Sequence, residues 1–430
     1  MERRVTPAEN DLLCLVEGDA PMGKLMRQFW VPALLSEEIE VDGKPTRVKL
    51  FGEPLVAYRD SNGTVGLMGE FCPHRGASLV YGRNEKCALR CLYHGWKMDA
   101  EGNILEMPSE PTASPLKQKI KQKAYPTKEW GGFVWAFMGD QAHIPNFLPP
   151  PFCPNENTKV SISKIKIPCN WAQITEGQID SAHSSSLHSS DMVPAPVEFG
   201  QATDTQWLRP STDKSPRFEI QETDFGFRYA AIRRPIKQAT THDYVRVTVY
   251  VAPFISLIPP NTSYRVATVI VPIDNENTAF HFIAFGEGDV PSTQTWRKFL
   301  STTVGEDLNP DYTNRRHLGN DFMQDRELMK QGNYTGISGI PNQDIAMWVG
   351  MGPIANRSHD ILGASDQAIV TFRRLMHSAA KATGEGKTVF DHSTSTISLD
   401  QLKAWEEVVD KGTNWRILGA APEEIQELQT

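Results

Sequence analysis

The sequence contains no apolar run near the roughly 20 residues that a membrane span requires. Its start, Met1-Glu-Arg-Arg, leads into a mixed acidic segment, and Leu12-Leu13-Cys14-Leu15-Val16 is too short for a signal core. The expectation is a cytoplasmic protein with no membrane partner. Excess positive charge is also missing: 44 Lys and Arg face 52 Asp and Glu, a net charge of −8. That excludes a sequence-independent grip on nucleic acid, which needs a basic surface, but leaves room for a local basic pocket around an anionic substrate. Cysteine is scarce, six in 430 residues. In a cytoplasmic chain of this length the choices are metal binding or burial rather than disulfides. Cys14, Cys153 and Cys169 are expected to be buried as small hydrophobes. There is no internal repeat, no low-complexity segment and no nicotinamide or flavin motif.

Apolar residues make up 40% of the chain, enough for sizeable cores, and the length suggests two or three domains. Residues 1–150 read as mostly β, with short apolar runs between Gly, Pro, Asp and Asn punctuation. Arg47-Val-Lys-Leu-Phe and Leu55-Val-Ala-Tyr look like strands joined by a tight turn, and a first helix is expected near Lys24–Trp30. Three prolines, Pro149 to Pro151, mark a boundary. In residues 151–430, Val245, Val247, Val249 and Val251 alternate with Tyr244, Arg246, Thr248 and Tyr250. Period two gives this strand an aliphatic face fit to pack on a helix and a mixed face fit to line a pocket. Further strands are expected near Tyr264–Val271 and Ala279–Phe285. A helix should follow Ser365, with Ile369, Phe372 and Leu375/Met376 on one side. The spacing of Ser398 and Gln401 predicts a last helix by its capping box, burying Leu402, Trp405 and Val408/Val409 and stopping at Gly412.

Two short motifs carry metal chemistry. Cys72-Pro-His74-Arg-Gly and Cys91-Leu-Tyr-His94-Gly-Trp each bring one Cys and one His, and sixteen residues separate His74 from Cys91. A Rieske [2Fe–2S] cluster needs two thiolates on one iron and two imidazoles on the other. Gly76 and Gly95 allow the tight turns such loops require. A structural zinc site also uses Cys and His, but its paired ligands usually stand two to four residues apart, wider than Cys-x-His. Cys87 is off the pattern and reads as a bystander.

The stretch from Asn170 to His188 holds His183 and His188, five apart. On a regular helix they would point about 140° from each other. The helix must therefore loosen between them, and Ser184-Ser185-Ser186 permits that. Two histidines and a carboxylate form the facial triad of non-haem Fe(II) oxygenases. The carboxylate must come from elsewhere, and Asp366, at the start of the helix after Ser365, is the candidate. An acid there is equally explained by the helix dipole.

These motifs, with Glu176-x3-Asp180-x2-His183-x4-His188, resemble the large subunit of Rieske non-haem iron ring-hydroxylating oxygenases. The stretches Pro21–Trp30, Trp207–Lys214 and Met351–Ser358 are most similar to the phthalate 4,5-dioxygenase and 3-chlorobenzoate dioxygenase group. The resemblance implies an α+β chain: an all-β Rieske domain with an N-terminal helix, then a helix-grip catalytic domain, an antiparallel sheet over a long helix. It implies mononuclear Fe(2+) on His183, His188 and Asp366, with O2 as co-substrate and electrons from NADH through a separate flavin/[2Fe–2S] reductase. It implies a homotrimer or stacked homohexamer in which Asp180 bridges a cluster histidine of the neighbouring subunit, His94 being favoured, to His183. The implied reaction is cis-dihydroxylation of a benzene carboxylate: phthalate at positions 4 and 5, or 3-chlorobenzoate, isophthalate or terephthalate. A Rieske monooxygenase or O-demethylase would share every ligand, and a bare electron carrier would not need His183 and His188. The substrate carboxylate calls for a charge-assisted partner, for which Arg246, Arg209 and Ser181 are the candidates.

Overall fold

The computed structural model describes residues 4–112, 114–197, 207–387, 389–390, 392 and 398–420. The chain divides into two compact units, Val16–Phe147 and a larger one made of Leu148 onward with the segment ending at Leu15. The first helix, Pro7–Cys14, thus belongs with the larger unit, while Pro21–Met26 forms the helix expected near Lys24.

The smaller unit is built from three antiparallel sheets. In one, Thr46–Leu50 pairs with Glu53–Arg59 as expected. Phe51 and Gly52 make the turn with φ of 50° and 80°, both left-handed, the geometry that suits a two-residue hairpin. Another sheet is formed by Arg83–Glu85, Ala88–Arg90, Lys97–Met98 and Ile104–Glu106. The Cys91–His94 loop leaves and re-enters this sheet.

The larger unit is organised by an eight-stranded sheet. Along it run Lys159–Ile167, Thr278–Gly286, Arg265–Pro272, Ile255–Ile258, His242–Val251, Gly226–Arg233 and Arg217–Thr223, each antiparallel to its neighbour. The eighth strand, Trp405–Asp410, pairs with His242–Val247. It replaces the helix expected after Ser398, whose capping pattern yields only the turn Leu399–Gln401. The free edge of the neighbouring strand and the β-branched pair Val408-Val409 outweigh local helix signals here.

Both faces of His242–Val251 are buried from Tyr244 onward. Its aliphatic face does not meet the long helix: Val245 and Val247 cluster with Ala230, Ile232, Trp415 and Leu418. The mixed face turns inward instead. Tyr250 packs edge-on against Phe372 of the helix Gln367–Gly384, ring centroids 5.4 Å apart.

A short helix, Trp171–Gln178, lies on the same interior side and is held on several sides. Asn170 caps it, accepting from the Ala172 N–H, and donates to the carbonyls of Cys14 and Asn275. Gln173 donates to the carbonyls of Trp348 and Gly352. A Cβ on Gly177 would stand 2.2 Å from Trp348 Nε1, so only glycine lets the helix Ile340–Gly350 approach this closely. Glu176 accepts from Arg357 Nε at 2.8 Å and from Arg373 Nε at 2.8 Å. Burial opposes ionisation of Glu176, but the charges of Arg357 and Arg373 more than reverse it, and the carboxyl titrates below its usual range. A carboxyl held low in the fold contributes stability above its unfolded pKa and loses it as pH falls through the folded one. Glu176→Gln should therefore destabilise the larger unit by about 3–5 kcal/mol near neutral pH. Urea unfolding of variant and parent at neutral and acidic pH checks this, with the difference narrowing toward acid.

Candidate metal centres and the arginine cluster

In the smaller unit, Cys72 and Cys91 are buried among Tyr58, Leu79, Leu89, Trp96 and Met98. His74 and His94 lie farther out, with ring centroids 4.4 Å apart, and His74 stacks on Trp96. Each loop closes in the same way. Gly76 N–H donates to Cys72 O and Gly95 N–H to Cys91 O, with φ of 70° and 76° at the two glycines. Burial pushes the Cys72 thiol up to about 11, against the pull of the His74 and Arg75 backbone N–H groups. N–H donors aimed at a buried sulfur suit a metal-bound thiolate. Two buried sulfurs beneath two outer imidazoles fit the ligand set of a Rieske cluster.

In the larger unit the helix Trp171–Gln178 ends, and His183–Ser185 forms a single 3-10 turn. This break brings the two histidines together: His183 Nε2 and His188 Nε2 stand 3.2 Å apart. The third group is Asp344, whose Oδ1 lies 3.4 Å from His183 Nε2 and 3.1 Å from His188 Nε2. Ligands at about 2.1 Å from a metal and mutually at right angles stand roughly 3.0 Å apart. The three atoms thus fit one face of an octahedral ion. Asp366 is not in this group. It sits at the start of the helix Gln367–Gly384, with its carboxylate on the Gly363 N–H at 2.6 Å. The structure thus brings Asp344, and not Asp366, together with the two histidines.

Gln343 explains the state of His188. Its Nε2 donates to Asp191 Oδ2 at 2.8 Å and to Ile337 O at 2.9 Å. Its Oε1, 2.8 Å from His188 Nδ1, must therefore accept, so Nδ1 carries the proton and Nε2 is free for a metal. On the other histidine, Asp180 Oδ2 lies 3.5 Å from His183 Nδ1, which has no hydrogen bond among the described residues. Asp180 Oδ1 accepts from Ala182 N–H at 2.7 Å, and the side chain is 22% exposed.

Arg209 and Arg246 are both buried, and a third arginine, Arg233, joins them. Arg233 stands opposite Tyr244 on the neighbouring strand, which puts Arg233, Tyr244 and Arg246 on one sheet face. Arg246 Nε donates to Glu406 Oε2 at 2.9 Å, and another of its N–H groups reaches Pro259 O. Arg209 instead meets neutral acceptors, Ser185 Oγ at 2.9 Å and Ser184 Oγ at 2.7 Å. Arg233 donates to Ser181 O at 2.7 Å and lies 3.4 Å from Ser181 Oγ. Burial and their cationic neighbours lower Arg209 to about 10 and Arg233 to about 9. Both remain charged at neutral pH. Even with Glu406 ionised, the cluster carries two positive charges without an acidic partner among the described residues. A cavity of about 360 Å³ borders it, lined in part by Pro210, Tyr244, Asn261 and Glu406.

Residues 29–126 match the Rieske [2Fe–2S] domain family, and residues 136–430 match the family described as LigXa C-terminal domain like. The chain belongs to the Rieske non-haem iron oxygenases. It is 58% identical to the phthalate 4,5-dioxygenase oxygenase subunit of Pseudomonas putida, over 96% of this chain and 94% of that one. It is 35% identical to the 3-chlorobenzoate-3,4-dioxygenase oxygenase subunit of Comamonas testosteroni, over 87% and 88% of the two chains. In fold it is similar to NdmA from Pseudomonas putida CBB5, solved as its QL mutant with caffeine, at a TM-score of 0.61 and 18% identity, covering 88% of this chain and 98% of that one. This Rieske oxygenase subunit is therefore an oxidoreductase with a [2Fe–2S] cluster. No helix among the described residues is long and apolar enough to cross a membrane.

Sequence reasoning missed Asp344, Gln343 and Arg233. A signal for the first two exists: Asn342-Gln343-Asp344 is a run of three buried polar residues in an otherwise apolar helix. Such a run needs partners. Arg233 sits in Ile232-Arg-Arg-Pro, where nothing local separates it from Arg234. Asp344→Asn should lose the mononuclear iron, while Asp366→Asn should keep it. Metal analysis with the Rieske absorption spectrum as internal control checks both. Gln343→Leu should weaken iron binding about 10–100-fold.

Proposed function

We propose that this chain is the oxygenase subunit of a two-component phthalate 4,5-dioxygenase. The observation that carries the reading is the pair of buried cations, Arg209 and Arg233, without an ion-pair partner among the described residues, beside Arg246 and next to the turn that bears His183. A dicarboxylate supplies the two negative charges this cluster lacks. A monocarboxylate such as 3-chlorobenzoate would leave one cation uncompensated, and that disfavours the second reading. The 58% identity to a phthalate 4,5-dioxygenase oxygenase subunit supports the same choice.

In this reading His183, His188 and Asp344 hold Fe(2+), and Cys72, His74, Cys91 and His94 hold the cluster. When bound, the cluster stores and passes one electron at a time, and the iron provides the site of O2 activation beside the arene. The residues do the rest. Gln343 keeps the His188 proton on Nδ1. Arg209, Arg233, Arg246 and Ser181 orient the substrate carboxylates by charge-assisted hydrogen bonds.

Electrons come, in this proposal, from a separate NADH-dependent flavin/[2Fe–2S] reductase in the cytoplasm. The working form is a head-to-tail trimer or a stack of two, with Asp180 hydrogen-bonded to His94 of the neighbouring subunit. Exposed apolar side chains support such docking. Tyr81 (70% exposed), Leu92 (60%) and Tyr93 (56%) belong to the cluster-bearing unit, and Met351 (56%) and Ile361 (95%) to the catalytic unit.

With 18O-labelled O2 and phthalate, mass spectrometry should find both labelled atoms in a cis-dihydrodiol. A product with one labelled atom would identify a monooxygenase instead. Asp180→Asn should retain both metals yet lose electron transfer from the reduced cluster, seen in single-turnover absorbance.

A further inference from the structure

We propose that Asp191 is a positioning residue of the mononuclear iron site, an acceptor-only carboxylate that acts through Gln343 to keep the Nε2 atom of His188 free for the metal. The inference rests on the reading of His183, His188 and Asp344 as the iron ligands. Asp191 follows His188 closely in the sequence, and the chain folds back between them. The N–H groups of Asp191 and Met192 both donate to His188 O, at 2.9 and 2.7 Å. That turn sets the His188 ring and the Asp191 carboxylate against one and the same side chain. Gln343, 1% exposed, comes from the helix Ile340–Gly350. It meets His188 Nδ1 with its Oε1 and Asp191 Oδ2 with its Nε2, each at 2.8 Å.

A glutamine amide can be turned end for end with almost no change of shape. Turned, Gln343 would offer an N–H to His188 Nδ1, which would then have to accept. The imidazole proton would move to Nε2, and the metal would lose a donor. What forbids the turn is the character of the groups around Gln343 Nε2. One is Ile337 O at 2.9 Å, and the other is Asp191. An ionised carboxylate can only accept, so a turned amide would set Oε1 against two oxygens and lose both hydrogen bonds. Ile337 O takes one of the two amide N–H groups, and among the described residues only Asp191 takes the other. Its negative charge also polarises the amide, which strengthens the acceptor facing His188 Nδ1–H and makes Nε2 the better donor to a metal. Asp344 stands next to Gln343, so one turn of this helix both supplies a candidate ligand and carries the effect of Asp191 to another.

The test uses the full chain with its Rieske cluster intact, stripped of mononuclear iron by a chelator and titrated anaerobically with Fe(2+) in a calorimeter. The Rieske absorption spectrum and the thermal midpoint report whether each variant is folded. Asp191→Asn keeps the size of the side chain but can donate as well as accept, and it should weaken Fe(2+) binding about tenfold. In a Gln343→Leu background the same change should cost less than about twofold, because the connection to His188 is already cut. Asp191→Ala removes both oxygens. It should lose at least as much as the Asn variant and takes its place if that variant does not fold. A merely structural role for Asp191 would not depend on Gln343, so equal losses in the two backgrounds overturn the proposal. Unchanged affinity in either Asp191 variant overturns it as well. A parent that takes up no Fe(2+) beyond its cluster would overturn the ligand reading itself, and so would an Asp344→Asn variant that binds as the parent does.

Discussion

Everything at the iron site depends on where one short helix stops. Trp171–Gln178 must end early enough for the chain to fold back at His183–Ser185, because a continued helix would splay His183 and His188 apart. The buried grip of Arg357 and Arg373 on Glu176 fixes this helix in rotation and depth. Its other anchors, Asn170 and Gln173, act at the beginning. The last turn is thus clamped and the residues beyond it are set by contacts to the strand Gly226–Arg233. The close approach at Gly177 joins this helix to the one that supplies Gln343 and Asp344. One rigid pair of helices therefore delivers all three candidate ligands and the group that orients His188.

The parts of this site legible in the sequence are those whose chemistry demands a fixed local spacing. Cys-x-His with Cys-x2-His and the five-residue step from His183 to His188 are of that kind, and the structure brings each pair together. Asp344 was not legible, because a candidate ligand 156 residues beyond His188 is placed by tertiary packing alone. Asp366 looked suitable for a local reason, an acid at a helix start, and the structure leaves it there, on the Gly363 N–H, rather than beside the two histidines. The strand Trp405–Asp410 went unseen on the same grounds. Its capping signal was local, while the edge it pairs with lies at His242–Val247. Of the fold, the sheet and the long helix could be read from periodicity. Which face of His242–Val251 met the helix could not, since both faces are buried.

The arginine cluster shows why a burial pattern alone would mislead. Three guanidinium groups on one side of a sheet are costly to bury, and removal from water is offset only where each finds strong acceptors. Glu406 does this for Arg246. For Arg209 and Arg233 the acceptors are Ser181, Ser184 and Ser185, neutral groups on the turn that loosens the site helix. That run of serines therefore has two uses. It breaks the helix so that the histidines can converge, and it hydrogen-bonds the cations while no anion is bound. A carboxylate adds a Coulomb attraction to the guanidinium that a neutral serine oxygen lacks. An incoming carboxylate would then outcompete a serine without any rearrangement of the sheet. The same turn carries Asp180 and His183, so replacing serine contacts with substrate contacts changes the forces on the residues nearest the metal. The serines and the cations thus meet on the turn that also bears Asp180 and His183.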